Sequence, residues 1–290
     1  MMDANPGWTT LVQAEALAEA LGRGDLASTD LAILDARFSL AGAEAGARAY
    51  QQSHLPGAVY AHLDHDLSDH RKQGQGRHPW PEASDFTARL RAWGISPATQ
   101  VVVYDDGDGM FAARPWFLLR MLGHAKVAVL DGGFARWNAL DLPLDNAIPV
   151  PTPTRYDATF DMSRLLDAAQ VQARLDAGEL LFDVRAGARF RGEVEPLDAV
   201  AGHVPGARNR PFADNLVDGR FKSPQQLALE FAAAFEGHDA SRTMAMCGSG
   251  VTACHHLLAM EHAGLHGAKL FTGSWSGWIA DPSRPVARGS

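Results

Sequence analysis

The stretch MAMCGSGVTACHH, residues 244–256, holds both cysteines of the chain. Cys247 ends a short apolar run, and Gly248, Ser249, Gly250, Val251 and Thr252 follow it. A thiol so placed could be a nucleophile, a metal ligand or a small apolar core residue. The nucleophile reading needs a setting that stabilises a thiolate. Glycines let the backbone turn inward so that several N–H groups point at one spot. A helix starting near Ala253 would add its own unpaired N–H groups and the positive end of its dipole. The same cradle would hold the anion of a persulfide on that sulfur.

Metal binding fits less well. Neither Cys-x-x-Cys nor His-Glu-x-x-His spacing is present. Neighbouring residues on a helix face different ways, so Cys254, His255 and His256 cannot converge on one ion. No metal and no cofactor are expected. A cysteine phosphatase would need an arginine closing the loop on the phosphoryl oxygens, and Ala253 stands there instead. Cys254, on the helix after the loop, reads as a structural core residue.

Positioning Cys247 requires a strand, a tight loop and a helix, and the chain supplies that set twice. The first half runs LAILDARF, HLPGA, QVVVYDDGDGMFAARPWFLLRMLG and VLDGGFARW. The second runs LLFDVRAGARF, HVPGA, TMAMCGSGVTACHHLLAM and LFTGSWSGW, in the same order. LAILD and LLFD read as buried strands with polar ends, and the Pro-Gly pairs as turns. Strands alternating with helical patterns predict α/β domains, each a mostly parallel sheet flanked by helices. We expect a first domain over 1–145, a linker over 146–160 (NAIPVPTPTRYDATF) and a second domain over 161–290. Asp105 lies 142 positions before Cys247 and takes its place in the first copy. A carboxylate lacks the thiol, so the first copy is expected to be catalytically silent.

Composition bounds the partners. The 290 residues are 46% hydrophobic and 21% charged, as expected of a packed globular chain. Net charge is −8 without a basic block, which argues against nucleic acid. The N-terminus lacks the basic and apolar regions of a secretory signal, and no apolar run approaches membrane-spanning length. Two cysteines inside one motif suit reduced thiols, so a cytoplasmic protein without membrane association is expected.

At these places the chain resembles the rhodanese family. CGSGVTAC resembles the active-site loop of its 3-mercaptopyruvate sulfurtransferase branch. YQQSHLPGA (50–58) and AGHVPGA (201–207) are similar to its His-x-Pro-Gly-Ala signature. VLDGGFARW (129–137) is similar to its C-terminal signature, from which LFTGSWSGW departs at Thr272 and Gly277. The resemblance implies a sulfurtransferase in which Cys247 takes sulfur from a donor and passes it, as a persulfide, to an acceptor. The acceptor would be a thiol, cyanide or thioredoxin. The first domain would build one wall of the cleft. The branch also implies that Ser249 acts with His78 and Asp64. Thiosulfate-preferring members tend to carry cations after the cysteine, whereas Gly248 and Ser249 are neutral, which favours 3-mercaptopyruvate. The branch holds the donor carboxylate with two arginines. Arg189 matches the first, the second falls at Leu197, and Arg191 is the nearby substitute. Thiosulfate is the alternative donor. A persulfide carrier or redox-sensing binding protein that does not turn over is the alternative of another class.

Overall fold

Each half of the chain carries the same strand-end device. In the computed structural model, which describes residues 7–22 and 30–290, Asp35 closes one strand and Asp183 another. Both carboxylates are fully buried and take the guanidinium two residues on. Arg37 Nη2 lies 2.6 Å from Asp35 Oδ2, and Arg185 Nη2 lies 2.6 Å from Asp183 Oδ2. The spare N–H bonds reach loop carbonyls, Arg37 to Ser53 at 2.6 Å and Arg185 to Gly202 at 2.7 Å. Removing one partner would leave a buried charge unpaired, a loss of about 3–5 kcal/mol. The histidine turns repeat as closely. His54 Nδ1 bonds Tyr50 O and His203 Nδ1 bonds Phe190 O, both at 2.8 Å, and each ring stacks on its partner's ring.

The chain divides into two units, 1–67 with 81–160, and 68–80 with 161–290. The first contains β1 (Leu11–Val12), α1 (Ala14–Gly22), β2 (Leu31–Asp35), α2 (Ala45–Gln52), β3 (Val59–Tyr60), α3 (Ala83–Ala92), β4 (Gln100–Tyr104), α4 (Ala113–Met121), β5 (Val127–Leu130) and α5 (Gly133–Ala139). Its five strands pair in the order β1-β5-β4-β2-β3, all parallel. Every residue of β4 is buried, as the unbroken apolar run of a central parallel strand requires.

The second unit contains β6 (Leu165–Leu166), α6 (Ala168–Asp176), β7 (Leu180–Asp183), α7 (Gly187–Phe190), β8 (Arg208–Asn209), β9 (Leu216–Val217), β10 (Arg220–Phe221), α8 (Pro224–Phe235), β11 (Thr243–Met246), α9 (Thr252–His262), β12 (Lys269–Phe271) and α10 (Ser274–Trp278). Its order, β6-β12-β11-β7-β8, repeats the first and is again all parallel. The antiparallel pair β9–β10 forms a small sheet of its own, without a counterpart among the described residues of the first unit. Helices α6 and α8 start on capping boxes, Asp167 with Gln170 and Ser223 with Gln226. The expected fold class is the observed one.

The boundaries differ from expectation in two places. Residues 68–80, counted in the first domain from sequence, group with the second unit. Residues 146–160, expected as a linker, group with the first. Their prolines supply no periodicity, yet the segment is anchored. Thr154 N–H and Oγ1 donate to Arg91 and Ile95 carbonyls, and buried Tyr156 bonds His124 Nδ1 at 2.9 Å.

Candidate active site

Strand β11 delivers Cys247 to the C-terminal edge of the second sheet, where parallel α/β sheets present their sites. The thiol is 1% exposed. Gly250, at φ +79°, turns the chain through the left-handed region and aims its N–H at Cys247 Sγ, 3.2 Å away. Val251 caps α9, and the helix begins at Thr252, one residue earlier than expected. Cys254 lies in α9 at 0% exposure with its thiol donating to Gly250 O at 3.3 Å, a core position.

Helix α10 fixes the loop from behind. Trp275 and Ser276 N–H groups donate to the Cys247 and Gly248 carbonyls at 3.0 and 2.9 Å. Ser274 Oγ accepts from Cys247 N–H at 3.1 Å and donates to Phe271 O at 3.0 Å. Ser274 sits at φ +50°, where the first copy has Gly133 at φ +52°. A serine in that conformation is held against strain by these two bonds.

Residues 68–80 bring His78 to the loop. His78 and Ser249 are both buried, and Nδ1 lies 2.8 Å from Oγ. Arg77 comes with it. Its backbone N–H donates to Ser276 Oγ at 2.9 Å, and its Nη1 meets Asp198 Oδ1 at 2.6 Å. Arg189 Nη2 meets Asp198 Oδ2 at 3.1 Å and Glu195 Oε1 at 2.7 Å. Glu195 also receives Arg185 at 3.3 Å. Burial alone would raise the Glu195 carboxyl, but the Arg189 bonds and the N–H groups of Leu197 and Asp198 hold it below the usual range.

Of the residues singled out from sequence, Cys247, Gly248, Ser249, Gly250, His78 and Arg189 come together. Arg191 does not join them. Its guanidinium turns outward to Glu193, 2.7 Å away, with the side chain 44% exposed. Leu197 is 43% exposed and gives only its N–H, to Glu195. Asp64 belongs to the first unit, where its N–H donates to His62 Nδ1 at 3.1 Å. Sequence reasoning missed Arg77, Asp198 and Ser274. Arg77 had one signal, its adjacency to His78. Ser274 had another, a side chain where the first copy keeps glycine.

The first unit answers what the loop becomes without a thiol. Asp105 follows β4 as Cys247 follows β11, and its carboxylate fills its own loop. Oδ1 accepts from Gly107 and Gly109 N–H, both at 3.0 Å, and Oδ2 from Phe111 and Ala112, at 2.9 and 3.1 Å. Burial, with Asp108 adding, pushes this carboxyl up to about 6 against the pull of those donors. From β4 to α4 this loop runs 105–112, three residues longer than the 247–251 loop.

One group among the described residues could gather a metal ion: Glu44, His62 and His65. His62 Nδ1 accepts the Asp64 N–H, so in a neutral ring the proton sits on Nε2, facing Glu44 at 3.5 Å. That nitrogen then has no lone pair to offer a metal.

A family model described as a rhodanese-like domain matches residues 13–140 and 167–281. The chain is 50% identical over 268 residues to a Pseudomonas aeruginosa protein named as a probable 3-mercaptopyruvate sulfurtransferase, covering 91% of this chain and 94% of that one. It is 40% identical over 286 residues to SseB of Mycobacterium tuberculosis, named as a putative thiosulfate sulfurtransferase, covering 97% of each. The crystal structure of SseA from Escherichia coli, described as a 3-mercaptopyruvate sulfotransferase, matches with a TM-score of 0.79 at 32% identity, over 93% of this chain and 100% of that one. Over nearly its whole length the chain is thus similar to proteins named as sulfurtransferases. The chain belongs to the rhodanese family and carries its domain twice. Among the described residues no helix is long and apolar enough to cross a membrane.

Proposed function

We propose that the protein moves sulfur from 3-mercaptopyruvate to a thiol acceptor through a persulfide on Cys247. The observation that carries this is the buried Cys247 sulfur under the Gly250 N–H, beside neutral Gly248 and Ser249. The Cys247 thiolate attacks the donor sulfur. An S–S bond forms, the donor C–S bond breaks, and its electron pair leaves on carbon as the enolate of pyruvate. The enolate takes a proton and departs as pyruvate. The donor's thiol proton leaves through Ser249 and His78, whose 2.8 Å contact suits a relay. An acceptor thiolate then attacks the outer sulfur and frees the Cys247 thiolate. Asp64 is assigned as third member of the relay on the family resemblance alone. Cyanide and thioredoxin are further candidate acceptors, and the cytoplasm is the proposed compartment.

Charge supports the donor. Arg77, Arg185 and Arg189 are matched by Asp183, Asp198 and Glu195. A locally neutral cluster with spare N–H groups suits a single carboxylate better than dianionic thiosulfate. Thiosulfate is the second reading, favoured by the name of the mycobacterial relative. There the thiolate attacks the outer sulfur and sulfite leaves. Steady-state rates with the two donors, wild type against Cys247→Ser, test both. A higher kcat/KM for 3-mercaptopyruvate, abolished in Cys247→Ser, is expected. A higher value for thiosulfate overturns the donor, and undiminished activity in Cys247→Ser overturns the mechanism.

A further inference from the structure

Asp198 holds two guanidinium groups at once, Arg77 on one oxygen and Arg189 on the other. Both face Gly248. A β-carbon built there would stand 3.1 Å from Arg77 Nη2 and 3.6 Å from both Nη1 and Nη2 of Arg189. Gly248 is not at positive φ, so its backbone does not call for glycine. What glycine provides is open space in front of the two arginines. Arg77 Nε is buried with no hydrogen-bond partner, and neither Arg77 Nη2 nor Arg189 Nη1 is committed to a described hydrogen bond. A buried guanidinium N–H without an acceptor is unfavourable and calls for an oxygen.

Resting on the sulfurtransferase reading, we infer that Arg77 and Arg189 together grip the donor's carboxylate, Arg77 supplying the arginine that Leu197 lacks. The alternative is that Arg77 only ties residues 68–80 to Asp198. The carboxylate role has a further geometric basis. Asp198 is 4% exposed and splays the two guanidinium groups, one per oxygen. Their remaining N–H edges are left for a planar, bidentate anion. Cys247 is next in the chain to Gly248, so a carboxylate held here fixes a short thiol-bearing acid near the nucleophile. Arg77 stands next to His78, so one segment supplies both a carboxylate grip and a proton acceptor.

The test compares 3-mercaptopyruvate with mercaptoacetone, which keeps the thiol and ketone but lacks the carboxylate. In Arg77→Gln the KM for the acid should rise about tenfold or more, the loss of one charge-assisted contact. The KM for mercaptoacetone should change by less than about twofold. The inhibition constant of pyruvate, which carries the carboxylate and no sulfur, should rise in step with the first. Arg77→Lys keeps the ion pair to Asp198 but not the planar fork, so it should rescue the melting temperature and only part of the KM. If Arg77→Gln fails to fold, Arg77→Lys decides. Equal shifts for both donors, or an unchanged KM and pyruvate constant, would overturn the inference. Wild type transferring sulfur from neither donor would instead sink the sulfurtransferase reading beneath it.

Discussion

His78 Nδ1 lies 2.8 Å from Ser249 Oγ, although 171 residues separate them in the chain. Only one of the two donor reactions needs a proton moved, because sulfite leaves thiosulfate without one. Ser249→Ala and His78→Gln should therefore lower kcat with 3-mercaptopyruvate by about 100-fold, the lower end of general acid–base contributions. Their kcat with thiosulfate should fall far less. Equal losses with both donors would make the pair structural.

Ser274 is expected to hold the nucleophile's backbone. Ser274→Ala keeps a left-handed non-glycine residue and leaves the Cys247 N–H without its acceptor. A loss of about 1–3 kcal/mol in stability is expected, with a lower kcat. Ser274→Gly removes the strain as well, so it should melt above Ser274→Ala. Thermal melts and kcat of the two variants decide. Equal melting temperatures would contradict the strained assignment.

Asp105 gives the first unit a pH signature. Its folded value of about 6 stands above the ordinary 3.8, so between them the folded chain keeps a proton that the unfolded chain has lost. This group's contribution to stability therefore falls as pH rises from about 3.8 to about 6, and levels off above. Asp105→Asn should flatten that part of the stability curve. It should also lose about 1–3 kcal/mol at neutral pH, since an amide offers N–H groups where two backbone N–H groups need acceptors. Denaturant melts across that pH range check both. Sulfur transfer should survive, because Asp105 touches no group assigned to the reaction.

The doubled fold was legible because its signals are local. Asp-x-Arg at a buried strand end and His-x-Pro-Gly-Ala at a turn each fix geometry within a few residues, as Asp183 with Arg185 shows. The thiol loop was legible for the same reason. Arg77 was not. Its meaning depends on residues 68–80 grouping with the second unit, and nothing in their composition encodes that. Leu197 pointed to a missing arginine, but the neighbour in sequence, Arg191, turned out to be a surface partner of Glu193. Ser274 was not legible either, because its hydroxyl acts on the N–H of Cys247, 27 residues away. The proline-rich stretch hid its anchors, because Thr154 and Tyr156 bond to groups more than 30 residues away.

The central claim is that sulfur passes through Cys247. The most direct measurement is peptide mass after one equivalent of 3-mercaptopyruvate, with no acceptor present. The expected result is one added sulfur atom on the peptide bearing Cys247, lost when a thiol acceptor is supplied and absent in Cys247→Ser. No added sulfur in the wild type, or the same addition in Cys247→Ser, would contradict it.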